Sequence, residues 1–108
     1  MRLVVAHAFA ISVIALPASA QQYMDGTKFA LTLGGLLGAE TACGLTYDVD
    51  SVEQYITDNA DPADIAIASA LSLMTGGTKI EFETMSASEK AAQCKLAERS
   101  ARALRFIE

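Results

Sequence analysis

The sequence has few of the residue types on which most catalytic sites depend. Its 108 residues include one histidine, His7, two cysteines and no tryptophan. Because His7 lies in an N-terminal segment that we expect to be removed, the remaining chain has no histidine for a Ser-His-Asp or Cys-His site. The usual zinc sites need Cys and His ligands, and both cysteines are expected to be bonded to each other. We therefore predict no enzyme activity, no cofactor and no metal site.

The glycine-rich motifs that bind phosphate groups are missing as well. Neither GxxxxGK[ST] nor GxGxxG occurs, and the cysteines form no CxxC redox motif. The run Gly34-Gly35-x-x-Gly38 lies inside a predicted helix, where it does not form a phosphate loop. Asp48, Asp50 and Glu53 offer oxygen ligands of the kind that calcium prefers, but helix capping and solvation explain these carboxylates better.

No apolar run is long enough for a membrane span, and the first twenty residues instead resemble a cleavable bacterial signal peptide. Arg2 gives a positive start, residues 3–16 are almost wholly apolar, and Pro17 ends the run. A span needs about 20 apolar residues. Ala18-Ser19-Ala20 fits the small-x-small rule, so we expect cleavage before Gln21. The sequence thus predicts a signal peptide over residues 1–20, export to the periplasm and no span after cleavage.

Residues 21–108 are short enough to form one domain whose small core needs a covalent staple. Cys43 and Cys94 are an even pair in a chain predicted to reach an oxidising compartment, which indicates a disulfide. The bond would close a loop of about 50 residues, for which the chain-entropy model gives about 4 kcal/mol.

Charge is divided unevenly along the predicted domain. Residues 21–85 contain two lysines against ten carboxylates, whereas residues 86–108 contain five basic residues against three carboxylates. The acidic part argues against nucleic acid and anionic lipid as partners, since both need a basic footprint. We expect the partner to be another periplasmic or envelope protein.

Hydrophobic spacing and capping residues predict an all-α fold, a small bundle of about four helices. The first helix covers about residues 25–43, with Asp25 or Thr27 as its cap and Gly44 at its end. The second is capped by Asp50, with Glu53 in a capping box. The third opens at Asp61 and stops at Gly76-Gly77.

The segment 78–85 and the last helix complete the pattern. Residues 78–85 alternate like a strand, but a lone strand has no partner, which favours a loop or an extra helical turn. Ser86 and Glu89 form a capping box for the last helix, which no Gly or Pro interrupts up to Glu108. The disulfide would join the end of the first helix to the middle of the last.

Two features are candidates for partner binding. A stripe of small residues at i+4 spacing, which includes Gly34 and Gly38, predicts either close packing inside the bundle or a groove for a partner helix. Lys95, Arg99 and Arg102 share one face of the last helix. That face is either solvated and paired with acids such as Glu98, or a docking site for an acidic protein surface.

Size, export signal, helical content and two widely spaced cysteines together resemble the layout of the acid-activated periplasmic chaperones of the HdeA type. The resemblance covers this general layout, so no residue role is carried over. It implies a holdase that loosens at low pH and binds unfolded clients. We expect a non-enzymatic protein-binding module that acts as an inhibitor, immunity factor or accessory factor, with the acid-stress holdase as the alternative.

Overall fold

A computed structural model describes residues 8, 10–12 and 22–108 of the chain. Within that part there are four α-helices and no strand: α1 (Gly26–Ala42), α2 (Val49–Asn59), α3 (Ile67–Thr84) and α4 (Ala87–Ala103). The predicted all-α fold with four helices is confirmed. Apart from residues 8 and 10–12, the predicted signal peptide of residues 1–20 lies outside the described residues. None of the described helices is both long and apolar enough to traverse a lipid bilayer.

Both ends of α1 are capped as the sequence predicts. The Asp25 carboxylate accepts hydrogen bonds from the backbone N–H groups of Thr27 (3.0 Å) and Lys28 (3.2 Å). At the other end Gly44 has φ +64°, and the N–H of Leu45 donates to the carbonyl of Glu40 at 2.8 Å. This is a Schellman motif, for which glycine is the favoured left-handed residue.

Helix α3 packs against the small-residue stripe of α1. A β-carbon added to Gly34 would lie 2.6 Å from Cβ of Met74, and one added to Gly38 would lie 2.5 Å from Cβ of Thr78. Such distances leave no room for a side chain, so the two glycines allow the helices to approach closely. Both helices advance by four residues between these contacts, and they therefore run in the same direction.

The predicted cap of α2 was wrong by two residues. Asp48, rather than Asp50, caps the helix, because its carboxylate accepts hydrogen bonds from the N–H (3.0 Å) and the hydroxyl (2.6 Å) of Ser51. Asp50 lies in the first turn, where the helix dipole favours an anion. The predicted Asp50–Glu53 capping box is therefore not formed.

Both predicted ends of the third helix were also wrong. Asp61 does not cap it; the carboxylates of Asp61 and Asp64 accept hydrogen bonds from the N–H groups two residues further on, and such local bonds compete with a helix. The helix begins only at Ile67 and continues through Gly76-Gly77 to Thr84. Phe82, which is 7% exposed, buries the far end of α3 and favours this continuation. Of the two alternatives for residues 78–85, the helical one is correct up to Thr84.

Helix α4 starts as predicted but ends earlier than the lack of Gly and Pro suggested. The Ser86 hydroxyl accepts the N–H of Glu89 at 3.2 Å, which confirms Ser86 as the cap. The hydroxyl also donates to Oε1 of Glu89 at 3.1 Å, so the Glu89 carboxylate bonds to the Ser86 side chain and not to the Ser86 backbone N–H that a complete capping box requires. The helix ends at Ala103 because Arg105 turns left-handed at φ 62°. The N–H of Phe106 then donates to the carbonyl of Ala101 at 2.8 Å, which forms a second Schellman motif.

A disulfide and an aromatic core hold the helices together. Cys43 and Cys94 are bonded as predicted, with an S–S distance of 2.09 Å and a Cα–Cα distance of 5.4 Å. In the core Phe106 is fully buried, and its ring centroid lies 5.6 Å from that of Tyr47 and 5.6 Å from that of Tyr55. Tyr55 stacks in turn on Phe29. The core thus encloses one side of α1 with residues from α2 and the C-terminal segment.

Candidate protein-binding groove

One side of α1 is left open between α3 and α4 and forms a groove of about 370 Å³. Its floor is the outer side of α1 at Thr32, Gly35 and Ala39. One wall is the C-terminal half of α3, and the other is the middle of α4, which the disulfide holds beside α1. Met85 closes one end, at the connection between the two walls. We call this feature the α1 groove.

The α1 groove has an apolar interior and an exposed apolar rim. Leu36 and Phe82 are buried at its base, whereas Leu96 on the α4 wall is 55% exposed. Gly35 leaves the floor open, because a β-carbon added there would meet no atom within 4 Å. Burial of the exposed part of Leu96 by a partner would release apolar surface from water, which is favourable for association.

The rim of the α1 groove is polar, and the one charged residue among the described residues that line it lies on the α3 wall. Glu81 lies on the α3 wall, and Gln93 and Ser100 lie on the α4 wall. Lys95 and Arg99 are exposed on α4 but do not line the groove, because residues adjacent in sequence to Leu96 and Ser100 project from another side of the helix. The groove therefore has a carboxylate on the α3 wall and uncharged polar groups on the α4 wall.

The three predicted basic residues are brought together on α4, but they are not equivalent. Arg102 forms an ion pair with Glu98 at 3.0 Å and donates to the backbone carbonyl of Glu108. Among the described residues, Lys95 and Arg99 form no ion pair. The solvated and paired alternative thus describes Arg102, while Lys95 and Arg99 keep their charges available.

Gly34 and Gly38 face α3, as the internal-packing alternative requires. Their contacts with Met74 and Thr78 occupy the side of α1 on which a partner helix would have to lie. The opening in the structure is on the adjacent side, at Gly35. The two glycines therefore position the α3 wall rather than line the α1 groove.

A second cleft, of about 750 Å³, lies where the loop before α2 meets the end of α4. It combines Asp48 with Arg102 and Arg105, so charges of both signs line it. The hydrogen bonds from Ser51 lower the pKa of Asp48, and burial, assisted by the Glu40 carboxylate, raises the pKa of Tyr47 to about 12. Both shifts arise from local structure, namely a helix cap and a core hydroxyl that donates to the Leu36 carbonyl at 2.7 Å.

The described residues contain no cluster of three side chains that could hold a metal ion, and none of their charged side chains is buried. No family profile, curated protein or solved structure matches this chain.

Sequence reasoning did not find the α1 groove. Phe82, Met85 and Leu96 were absent from the predicted site residues. One signal was available: Leu96 is a large apolar residue between Lys95 and Arg99 on a helix whose other apolar positions are mostly alanine. Its exposure depends on how far α3 lies from α4, which is a property of the packing.

Proposed function

We propose that this protein is a non-enzymatic, periplasmic protein-binding module that holds a helical segment of another periplasmic or envelope protein in the α1 groove. One observation carries the proposal: α1 has an open side with an apolar base, between two helical walls, with Leu96 exposed at the rim. A groove of this kind suits an amphipathic helix, which buries apolar residues at i, i+3 or i+4, and i+7.

The lining favours a protein segment over a small molecule. Small-molecule sites of this volume have polar groups at fixed positions inside an enclosed apolar pocket. In the α1 groove the charged and amide groups, Glu81 and Gln93, lie on exposed parts of the walls. The small floor residue Gly35 leaves space for another backbone to approach α1, as Gly34 and Gly38 allow α3 to do on the adjacent side.

The roles that such a module can fill are inhibitor, immunity factor and assembly accessory. Each of them requires a defined partner bound in fixed stoichiometry. The experiment must therefore identify the partner and locate the surface that holds it.

A matched pair of glycine variants tests the proposal. Gly35→Leu places a side chain in the α1 groove, whereas Gly76→Leu places the same side chain on α3 outside the groove; an added β-carbon meets no atom within 4 Å at either position. The tagged protein would be crosslinked in its own periplasm and the captured proteins identified by mass spectrometry. We expect one stoichiometric partner with the wild type and with Gly76→Leu, and its loss with Gly35→Leu. A partner retained equally by both variants, or no partner at all, would contradict the proposal.

The acid-activated holdase is the alternative, and Asp48 gives it a specific observation. A holdase that opens in acid needs carboxylates whose pKa is lowered in the folded state, and Asp48 is one such carboxylate. Near-UV circular dichroism between pH 7 and pH 2 tests the alternative. A tertiary signal that persists over the whole range would contradict it.

A further inference from the structure

We infer that the protein forms a weak homodimer in which the solvent-facing sides of two α3 helices pack against each other in antiparallel directions. The inference goes beyond the proposed function, because this side of α3 lies outside the α1 groove and its partner is a second copy of the chain.

The side of α3 that faces away from α1 carries large apolar residues that are mostly exposed. Leu73 is 75% exposed and Ile80 is 63% exposed, and their separation by about two helical turns places them on the same side of the helix. Between them lie Gly76 and Gly77, where an added β-carbon would meet no atom of the described residues within 4 Å. We call these four residues the α3 face. Exposed apolar residues that cluster in this way are typical of a protein–protein contact.

The α3 face lies mostly in an uncharged stretch of an acidic part of the chain. Residues 65–78 contain no charged residue, whereas residues 21–85 as a whole contain ten carboxylates and two lysines. Two copies that approach each other through other surfaces of this part bring like charges together, which opposes association. The α3 face avoids this repulsion and therefore suits a second copy of the chain.

The spacing of residues along α3 is the same in both directions from the glycine pair, as a two-fold interface requires. Leu73 lies three residues before Gly76, and Ile80 lies three residues after Gly77. A two-fold axis at the glycine pair therefore places Leu73 of each copy against Ile80 of the other. The glycines leave room for the two helices to approach closely, as the glycines of α1 do for α3. A contact with a different protein would not require this symmetry.

The positions of the charged residues favour the antiparallel direction. The charged residues of α3 all lie near its end, at Lys79, Glu81 and Glu83. In an antiparallel dimer, residues 79–84 of one copy lie beside residues 69–74 of the other, which are uncharged. In a parallel dimer, Glu81 and Glu83 would lie beside the same carboxylates of the other copy, and like charges repel.

The size of the contact predicts a weak dimer. Helix α3 has 18 residues and is therefore about 27 Å long. One pair of such helices buries less than the roughly 1,200 Å² that stable complexes usually bury. Burial of Leu73 and Ile80 from both copies provides most of the stabilisation. We expect a dissociation constant of about 10–100 μM.

Sedimentation equilibrium of the mature protein, at concentrations below and above this constant, tests the inference. Leu73→Lys places a charge against Ile80 of the other copy, and the two-fold symmetry introduces it twice. We expect the dissociation constant to rise about a hundredfold. Val49→Lys adds the same charge at a 67% exposed residue of α2 and should change the constant by less than about twofold. A wild type that stays monomeric throughout, or a Leu73→Lys variant that dimerises as the wild type does, would overturn the inference.

Single-cysteine variants test the antiparallel direction. Leu73→Cys and Ile80→Cys each introduce a free thiol into a chain whose own two cysteines are bonded to each other. In the antiparallel dimer the two positions face each other, whereas position 73 lies about 10 Å along the helix axis from position 73 of the other copy, too far for a disulfide. Mild oxidation of an equimolar mixture should give a covalent dimer on a non-reducing gel, and each variant alone should stay monomeric. Covalent dimers of one variant alone, or none from the mixture, would contradict the antiparallel arrangement.

The dimer and the α1 groove are separate surfaces, so their tests fail independently. Gly35→Leu fills the groove and should leave the dissociation constant of the dimer unchanged. Leu73→Lys should prevent the dimer and still capture the partner of the groove. Gly76→Leu separates the two α3 helices and should weaken the dimer, while it retains that partner. Loss of both interactions in Gly35→Leu would mean that the two surfaces are one, which would contradict the inference.

Discussion

The two sides of α1 contrast sharply in what covers them. On the core side, Phe29 and Leu33 are fully buried beneath residues from α2 and the C-terminal segment. On the outer side, Leu31 is 54% exposed, and Gly35 has no neighbour where a side chain would project. One side of α1 thus carries residues that stabilise the fold. The residues on its opposite side contribute little to the free energy of unfolding. Substitutions on the two sides should therefore have separable effects.

Removal of the disulfide should have the largest effect. Cys43→Ser with Cys94→Ser opens a covalent loop that spans 51 residues, and the chain-entropy model gives a loss of about 4 kcal/mol in the free energy of unfolding. Urea unfolding followed by far-UV circular dichroism measures this loss. A loss below about 1 kcal/mol would mean that the noncovalent contacts of α4 suffice to hold it beside α1.

Truncation of the aromatic core should have the next largest effect. Phe106→Ala removes a fully buried ring between Tyr47 and Tyr55, and we expect it to cost about 3 kcal/mol. Leu96→Ala removes a half-exposed side chain and should change the unfolding free energy by less than about 0.5 kcal/mol. If Leu96→Ala destabilised the protein as much as Phe106→Ala does, the contrast between the two sides would be false.

Neighbouring glycines provide a finer test of the same contrast. At Gly34 a β-carbon would lie 2.6 Å from Met74, so Gly34→Ala should destabilise the protein by about 1–2 kcal/mol. At Gly35 the space is open, and Gly35→Ala should stabilise it by up to about 1 kcal/mol through helix propensity. Both changes in the free energy of unfolding can be measured from the midpoints of urea denaturation, with the same m-value applied to each variant. A Gly34→Ala variant as stable as Gly35→Ala would show that the seam between α1 and α3 accommodates a methyl group.

The two Schellman motifs predict a smaller effect. Gly44 adopts a left-handed conformation at little cost, whereas Arg105 adopts it with a β-carbon present. We expect Arg105→Gly to stabilise the protein by about 1 kcal/mol and Gly44→Ala to destabilise it by a similar amount. Thermal unfolding of the two variants measures both changes. A destabilised Arg105→Gly variant would mean that the arginine side chain makes a favourable contribution that outweighs its backbone strain.

Acid titration should give the smallest effect. Hydrogen bonds from Ser51 lower the pKa of Asp48, so this carboxylate stabilises the folded state above its ordinary pKa of about 3.9. The contribution is lost as the pH falls below that value and through the folded-state pKa. Asp48→Asn keeps a good capping residue without this titration, and it should flatten the fall in stability between pH 5 and pH 3. An unchanged slope in urea unfolding over that interval would contradict the assignment.

Capping residues and cysteines made most of the fold predictable. Asp25 and Ser86 have side chains that satisfy backbone N–H groups within their own helix turn, so each starts a helix independently of the rest of the chain. The disulfide followed from an even pair of cysteines in a chain predicted to be exported. These features depend on local chemistry, which the sequence contains in full.

The wrong predictions concern features that depend on tertiary packing or on local hydrogen bonds that compete with a helix. Gly76-Gly77 is typical of a helix end, but burial of Phe82 favours continuation of the helix as far as Thr84. Asp61 was expected to cap α3, but it forms its own local turn instead. The α1 groove was not predicted because it is a space between helices, and no single segment of the sequence encodes the distance between α3 and α4.

The parallel arrangement of α1 and α3 has a consequence for how quickly the chain folds. Each contact along the Gly34–Gly38 seam joins residues about 40 positions apart in sequence, because α2 must first carry the chain back to the start of α1. Helical proteins that fold within microseconds rely on contacts between sequence neighbours, and folding slows as the separation between contacting residues grows. We expect this chain to fold more slowly than an up-and-down bundle of equal length, with closure of the seam between the two glycines and α3 as the late step.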